Sequence, residues 1–468
     1  MITRRILCIL LVCGTAALST ARSAEGISKD ERMQWWREAR FGLFIHWGLY
    51  SLLGGEWEGK DHGKEMGGAS AEWIMLRAPV PTEDYKKLAE QFNPVKFDAK
   101  AWVTIAKEAG MKYMVITAKH HDGFCLFDTK HTDYDIMDAT PFKRDVIKEL
   151  SEECKRQGIR FGVYYSQRQD GYHRGRDSDK APTEKYVKMA KGHIHELLTN
   201  YGDMALMWFD TGGSNLALND SYGRMVRELQ PRAIICSRLY SRGVKKEKRK
   251  YADFDSLPDR TIAAQRVTGD AETCMTMRHN WGYDRDDDNW KSKKDIIERL
   301  VLSACRGANF LLNVGPKPDG ILCDEEIERL KAVGAWMKVN AESIQGTDAS
   351  PLDFDFEWGA MTQKPNRLYL HVMKWNRDGI VFNGVVGKPN RAYLLADPDR
   401  KDLAIEHDAG KHLTTIRVSG KAPDGYDSVI AVEFDGPVKI DKEAQGTYHW
   451  SKTTGLKHKK KRGPKSGK

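Results

Sequence analysis

The stretch "VKFDAKAWVTIAKEAGMKYMVITAKHHDG", from Val95 to Gly123, holds one unit of the pattern that decides the fold. Its first half reads as an amphipathic helix that ends at Gly110, and its second half as a buried apolar strand that ends in Lys119, His120 and His121. Glycine often ends a helix just before a strand, because it adopts left-handed backbone angles without a steric penalty. The stretch therefore predicts a helix, then a strand with ionisable side chains at its carboxyl end.

The same alternation continues from about residue 28 to residue 346. The candidate strands are "FGLFIHWG", "YMVITAKHH", "RFGVYYS", "MALMWFD", "AIICSRL" and "NFLLNVG". The candidate helices include "VKFDAKAWVTIAKEAG", "DVIKELSEECKRQG", "EKYVKMAKGHIHELLTNYG" and "DEEIERLKAVGAWMKVN". Repeated strand–helix units over this length predict a (β/α)₈ barrel for residues 25–347. A doubly wound open sheet is the alternative, but no glycine-rich phosphate fingerprint follows any of these strands.

Beyond residue 347 the pattern changes to short, partly alternating apolar runs with turn residues between them, such as "NRLYLHVMKW" and "DSVIAVEFDG". This pattern predicts a C-terminal antiparallel β-sandwich over residues 348–447. No low-complexity linker separates the two predicted domains, so we expect them to pack directly on each other.

The two ends of the chain differ in composition from its body. Residues 1–24 combine Arg4 and Arg5 with a short apolar stretch and small residues, as a secretory signal peptide does. The net charge is +9, but residues 451–468 alone carry eight positive side chains and no negative one. We therefore expect a disordered basic tail at 448–468, a nearly neutral body and no nucleic-acid partner. No stretch is apolar enough for a transmembrane helix, and export predicts a periplasmic, extracellular or lysosomal destination.

Cysteine usage does not predict a disulfide framework. Six cysteines follow the predicted signal peptide, widely spread and without a CxxC pair. In a large domain this distribution is typical of mostly free, buried thiols, although one or two bridges stay open.

The ends of the predicted strands carry most of the candidate functional residues. In "ALMWFDTGG" a buried strand brings Trp208 and then Asp210 to the barrel mouth, where a carboxylate could stabilise or attack a developing oxocarbenium ion. Adjacent His120 and His121 point to opposite sides of a strand, so they do not readily bind one metal ion together. Past the strand end both imidazoles could instead hydrogen-bond vicinal hydroxyls. The alternative is that the two histidines have only a structural role.

A second strand end repeats this chemistry. In "FGLFIHWGLYSLLGGEWEG", His46 ends an apolar strand, and Glu56 and Trp57 follow in a glycine-rich loop. Histidine, tryptophan and glutamate are residue types that bind a monosaccharide by hydroxyl hydrogen bonds and ring stacking. The sequence therefore favours a sugar pocket over a metal site.

A second catalytic carboxyl would come from the acid-rich segment 251–290, which reads as a long loop. Retaining glycoside hydrolysis needs an acid that is about 5–5.5 Å from the nucleophile and is protonated near neutral pH. Glu272 lies in the apolar context "AETCMTM", which suits that requirement, but composition does not rank it above Asp255 or Asp259.

Taken together, these segments resemble the α-L-fucosidases of glycoside hydrolase family 29. The motifs occur in the family's order across nearly the whole mature chain: "RFGLFIHWG", "AKHHDGF", "GVYYS", "MWFDTGG", "ETCMTM", "NWGY" and "ANFLLNVGPKPDG". The resemblance implies a barrel with a C-terminal sandwich, no cofactor, and retaining, exo-acting cleavage of terminal α-L-fucosyl linkages in oligosaccharides, polysaccharides or glycoprotein glycans.

Residue by residue, the resemblance implies that Asp210 is the nucleophile and Glu272 the acid/base. It also implies a fucose pocket made of His46, Glu56, Trp57, His120, His121, Tyr164, Trp208 and Arg260. Ala271 stands where the family often has tryptophan, and the acid/base shifts between members, so Asp259 and Glu56 stay open as alternatives. A fucose-binding barrel without turnover, or a glycosidase for a related sugar such as an α-L-galactoside, would share these features.

Overall fold

The computed structural model describes residues 26–62, 71–167, 182–444 and 446. The predicted signal peptide and the basic tail therefore lie outside the described residues. Eight parallel strands form one sheet: β1 Phe41–Ile45, β2 Tyr113–Lys119, β3 Arg160–Ser166, β4 Leu206–Asp210, β5 Ile234–Ile235, β6 Asp255–Ser256, β7 Ala271–Thr276 and β8 Ala308–Val314.

This sheet closes on itself. The strand order is β5-β4-β3-β2-β1-β8-β7-β6, so β5 and β6 are the two ends of the hydrogen-bonded series. A parallel bridge between Cys236 and Phe254 joins those ends. Backbone hydrogen bonds flank the bridge, from Asp253 N to Ile235 O at 2.8 Å and from Ser237 N to Phe254 O at 2.9 Å. The predicted barrel is confirmed.

Helices cover the outside of the barrel: α1 Lys29–Ala39, α2 Ala99–Glu108, α3 Val146–Gln157, α4 Glu184–Thr199, α5 Leu216–Leu229, α6 Lys293–Cys305 and α7 Asp324–Asn340. Side-chain caps begin several of them. Asp98, Asp145 and Thr183 each accept a hydrogen bond from a backbone N–H of the first turn of α2, α3 and α4 respectively. These N-caps satisfy donors that the helix itself leaves unpaired, and thus define where the helices start.

The barrel departs from the sequence prediction between β5 and α6. The predicted strand "AIICSRL" is only two residues long, because Ser237–Leu239 turns into a 3₁₀ helix. The segment predicted as a long loop contains β6 and β7. Strand β7 was missed because its sequence, AETCMT, mixes three apolar and three polar residues without a regular alternation, although all six residues are buried.

The C-terminal part contains two larger antiparallel sheets, as predicted, and a small one in which Val385–Val386 pairs with Lys439–Ile440. The strands of the two larger sheets are β9 Gly359–Lys364, β10 Arg367–Val372, β11 Ile380–Asn383, β12 Arg391–Leu394, β13 Ile405–Asp408, β14 Leu413–Ile416 and β15 Ser428–Glu433. One sheet has the order β9-β10-β15-β12 and the other β11-β14-β13. The predicted sandwich is thereby confirmed.

The four-stranded sheet buries side chains on both faces. Leu368, Leu370 and Ile430 belong to the core between the two sheets. Tyr369 and Ala431, which alternate with them along β10 and β15, belong to the core that continues into the barrel. Because successive strand residues point to opposite faces, one sheet contributes to two cores.

Two further expectations concern residues within the described part of the chain. All six of its cysteines are buried and free of disulfide bonds. No helix there is both long and apolar enough to cross a lipid bilayer.

A buried ion pair connects α6 to the C-terminal domain, and breaking it should destabilise the protein. Arg306, at the end of α6, donates to both carboxylate oxygens of Asp355, with Nη1 2.9 Å from Oδ1, and both residues are buried. Asp355→Ala would leave a buried, uncompensated guanidinium, so we expect the free energy of unfolding to fall by about 3–5 kcal/mol in urea titrations.

The matched control is the exposed pair of Glu406 and Arg417, which also makes two hydrogen bonds. Solvent screens such a pair, so Glu406→Ala should leave the unfolding curve nearly unchanged. Equal effects of the two substitutions would contradict the prediction.

Candidate active site

The carboxyl ends of β1 to β4 bring the predicted aromatic and histidine residues into one cluster. The ring centroids of His46 and His120 are 5.6 Å apart, and His120 stacks on Tyr164 at 5.5 Å. Tyr164 in turn stacks on Trp208 at 5.5 Å. His121 lies beside His120, with ring centroids 4.0 Å apart. Five of the eight residues predicted for the pocket are therefore neighbours at the barrel mouth.

Asp210, the last residue of β4, lies at the edge of this cluster. The Tyr164 hydroxyl donates a hydrogen bond to Asp210 Oδ2 at 2.8 Å. His121 Nε2 is 3.7 Å from the same oxygen, and Arg238 Nη1 is 3.5 Å from Oδ1. The carboxylate is 17% exposed, so a ligand in the mouth can reach it.

Arg238 is a site residue that the sequence-based selection left out. Its guanidinium lies over the Trp208 ring, 4.8 Å from the centroid, and its Nε donates to Ser256 Oγ at 2.9 Å. Nη2 donates to Asp259, so one guanidinium contacts both Asp259 and Asp210. A signal was present, because Ser237 and Arg238 lie at the carboxyl end of the candidate strand "AIICSRL", where barrel sites form.

His46 and His120 are neutral in this environment. Burial lowers the pKa of His46 to about 4, although its Nδ1 lies 2.7 Å from Asn313 Oδ1. Burial, followed by the nearby His121, His46 and Lys119, lowers the pKa of His120 well below its usual range. Neutral imidazoles exchange hydrogen bonds with hydroxyl groups without adding charge, which suits an uncharged ligand.

Two tryptophans complete the cluster and were also missed. Trp281 lies 5.1 Å from the His46 ring, and its carbonyl accepts a 2.7 Å hydrogen bond from Asn313 Nδ2. Trp73 lies 4.1 Å from the His121 ring. Trp281 belongs to the quoted motif "NWGY", whereas nothing in the sequence around Trp73 distinguishes it from a core residue.

Glu272 lies inside the barrel, beneath the mouth. It is the second residue of β7, fully buried, and its Oε2 and Oε1 accept hydrogen bonds from Tyr113 Oη at 2.6 Å and Trp208 Nε1 at 2.9 Å. Burial raises its pKa to about 7, against the hydrogen bonds from Tyr113, Trp208 and Trp36, which lower it. The carboxyl thus has the protonation that an acid requires, but it has no exposed surface.

The remaining predicted residues lie on loops around the mouth. Glu56 and Trp57 form a short hairpin with Lys60–Asp61, and Glu56 accepts a 2.9 Å hydrogen bond from Arg285. Arg260 has a left-handed backbone with φ 59° and donates to the His279 carbonyl at 2.9 Å. The arginine that contacts Asp210 is Arg238, not Arg260.

A parallel barrel with two carboxylates and a neutral histidine–tryptophan cluster at its mouth has the construction of a glycoside hydrolase. Residues 13–342 match the family model described as alpha-L-fucosidase. The chain belongs to the alpha-L-fucosidase family.

Its relatives are similar over most of their length. It is 29% identical to the plasma alpha-L-fucosidase of Homo sapiens over 77% of this chain and 80% of that protein. The alpha-L-fucosidase isoenzyme 1 structure from Paenibacillus thiaminolyticus is 33% identical, with a TM-score of 0.77 over 88% of this chain and 99% of that one. A family 29 structure from Bacteroides thetaiotaomicron, a covalent intermediate trapped with 2-fluoro-fucosyl fluoride in a glutamate-to-glutamine mutant, is 31% identical. It covers 86% of this chain and 96% of its own, with a TM-score of 0.77.

The raised pKa of Glu272 predicts a pH-dependent effect of Glu272→Gln on stability. Below the ordinary pKa of 4.5 the carboxyl is protonated in both the folded and the unfolded chain. Between pH 4.5 and about 7 only the folded chain holds the proton, so the stability that Glu272 contributes falls as the pH rises. Between pH 4.5 and pH 8, the free energy of unfolding of Glu272→Gln should rise relative to that of wild type by on the order of 3 kcal/mol.

Urea unfolding of both proteins at several pH values measures this difference. A constant difference between wild type and Glu272→Gln would mean that Glu272 does not titrate in this range.

Proposed function

We propose that this protein is an exo-acting, retaining α-L-fucosidase that removes terminal fucosyl groups through a covalent fucosyl-aspartate. The single observation that carries the proposal is the contact of one guanidinium, Arg238, with both Asp210 and Asp259. Retaining hydrolysis needs two carboxyl groups at close range across one sugar carbon. The trapped covalent intermediate of the Bacteroides relative supports the same two-step route.

Asp210 is proposed as the nucleophile. Its carboxylate attacks the anomeric carbon while the glycosidic bond breaks and the leaving-group oxygen receives the proton of the second carboxyl, which yields the fucosyl ester of Asp210. Water then attacks the same carbon, transfers a proton to the second carboxylate and releases Asp210. Two inversions give net retention of the anomeric configuration.

Asp259 is proposed as the acid/base in preference to Glu272. Its side chain is 38% exposed on the loop after β6, where a leaving group and then a water molecule can reach it. Both oxygens of Glu272 are occupied by Tyr113 and Trp208 below the mouth, so Glu272 is better placed to orient Trp208. Glu56, which is held by Arg285, is the remaining candidate.

The proposed fucose pocket consists of His46, His120, His121, Tyr164 and Trp208, with Arg238 against the two carboxylates. The neutral imidazoles of His46 and His120 would bind sugar hydroxyls, and the Trp208 face would pack on the apolar side of the ring. Glu56, Trp57 and Arg260 are proposed to line the surrounding loops. The substrate class is a fucosylated oligosaccharide, polysaccharide or glycoprotein glycan.

Export is part of this proposal. Residues 4–21 have the charge and hydropathy pattern of a signal peptide, which would direct the enzyme to the periplasm, the medium or a lysosome.

Asp210→Ala should abolish hydrolysis of p-nitrophenyl α-L-fucoside, because no other group would form the ester. We expect kcat to fall by about four orders of magnitude or more. The control is Asp203→Ala, an exposed aspartate just before the opposite end of β4, which should behave like wild type. Activity of Asp210→Ala within tenfold of wild type would remove Asp210 from the mechanism.

Azide rescue distinguishes Asp259 from Glu272 as the acid/base. Asp259→Asn should slow hydrolysis of natural linkages by about 10²–10⁴-fold, because the leaving group then departs without a proton. On the p-nitrophenyl fucoside, azide needs no general base and should restore turnover. The product, identified by proton NMR, should be the fucosyl azide with the anomeric configuration of the substrate.

Glu272→Gln is the matched comparison and should give no azide product. If instead Glu272→Gln is rescued and Asp259→Asn is not, the acid/base is Glu272.

A further inference from the structure

A chain of hydrogen bonds runs behind the nucleophile, from its backbone to His121. Thr211 Oγ1 donates to the carbonyl oxygen of Asp210 at 2.7 Å. Ser166 Oγ lies 3.3 Å from Thr211 Oγ1 and 2.7 Å from His121 Nδ1. Ser166 is the register partner of Asp210 on the neighbouring strand, so the pairing of β3 with β4 holds this chain in place.

The carbonyl at one end determines the direction of the whole chain. A carbonyl oxygen can only accept, so the single hydroxyl proton of Thr211 is committed to it. The contact between Thr211 and Ser166 is then a hydrogen bond only if Ser166 donates. Where it does donate, Ser166 has used its own proton and accepts from His121 Nδ1.

We propose that Ser166 and Thr211 are positioning residues that hold His121 in the tautomer protonated on Nδ1, so that Nε2 faces the nucleophile as a hydrogen-bond acceptor. This inference deepens the proposed function and rests on it for the identity of the ligand. Neither residue is proposed to touch the substrate. Both act through the imidazole of His121.

This tautomer has two consequences at the nucleophile. Nε2 lies 3.7 Å from Asp210 Oδ2, the oxygen that already accepts a hydrogen bond from Tyr164. An unprotonated Nε2 does not donate a hydrogen bond to Asp210. His121 therefore does not lower the nucleophilicity of that carboxylate. It can instead accept a hydrogen bond from a fucose hydroxyl beside the anomeric carbon. The opposite tautomer would reverse both effects.

The backbone at Thr211 is a second, independent observation. Thr211 has φ 56°, a left-handed conformation that is unfavourable for a β-branched residue. The next residue, Gly212, allows a close approach, because an added Cβ would lie 2.3 Å from Leu239 O. Glycine or asparagine would adopt the conformation of residue 211 at lower cost, and a threonine there indicates a use for its hydroxyl.

The experiment compares Thr211→Val with Thr211→Ser in the full-length protein. Valine keeps the branched shape and removes only the hydroxyl, which frees the Ser166 proton for Nδ1 of His121. Serine restores the hydroxyl. The imidazole signals of ¹⁵N-histidine-labelled protein report the tautomer, and the spectrum of His121→Gln identifies which signals belong to His121.

We expect the proton on Nδ1 in wild type and in Thr211→Ser, and on Nε2 in Thr211→Val. In parallel, kcat/KM for the p-nitrophenyl fucoside should fall about 10- to 100-fold in Thr211→Val, the loss expected for one misdirected hydrogen bond to the substrate, and recover in Thr211→Ser. Ser166→Ala removes the acceptor of Nδ1–H and should also move the proton to Nε2. It serves as the test if Thr211→Val does not fold.

A proton on Nε2 of wild-type His121, or on Nδ1 in both hydroxyl-deficient variants, would overturn the inference. Failure of the proposed function gives a different result: wild type would show the expected tautomer but hydrolyse no fucoside. Fucoside hydrolysis together with a tautomer that Thr211→Val leaves unchanged would overturn the tautomer assignment alone.

Discussion

The active site depends on the closure of the barrel between its two shortest strands. A single parallel bridge, Cys236 to Phe254, joins β5 and β6. Arg238 follows this bridge by two residues on one side, and Asp259 follows it by five on the other. Closure therefore brings Arg238 and Asp259 together beside Trp208 and within reach of Asp210 on the adjacent strand β4. An open sheet of the same strands would leave Arg238 and Asp259 on opposite edges.

The interior beneath the mouth is polar, and each polar group there helps to place another. Glu272 accepts hydrogen bonds from Tyr113, near the amino ends of the strands, and from Trp208, whose ring supports Arg238. A buried carboxyl is unfavourable unless it is hydrogen-bonded or neutral, and Glu272 meets both conditions below pH 7. Hydrogen bonds in the lower layer of the barrel core thus help to position Trp208 and Arg238 at the mouth.

Sequence reasoning located the helices and strand ends well, because local chemistry determines them. The periodicity of apolar residues separates helix from strand, although the helix predicted from Val95 begins at Ala99, after its cap Asp98. The depth at which a strand residue lies in the barrel is harder to predict from sequence. The apolar context of Glu272 correctly indicated burial, but its level in the barrel follows from register with Ser256 and Asn309 on neighbouring strands, which one strand's sequence does not contain. The role of Arg238 was hidden for the same reason, since its partners come from three separate segments.

The four-stranded C-terminal sheet is a wall shared by two cores, and this has a consequence for how the protein can change. Alternate residues of β10 and β15 serve the sandwich and the barrel, so neither unit has a complete boundary of its own. A truncation after residue 347 would uncover an apolar barrel surface as well as delete a domain. We therefore expect the two units to be inherited together, lost together and unfolded together, even though Asp210 and Asp259 both lie in the barrel.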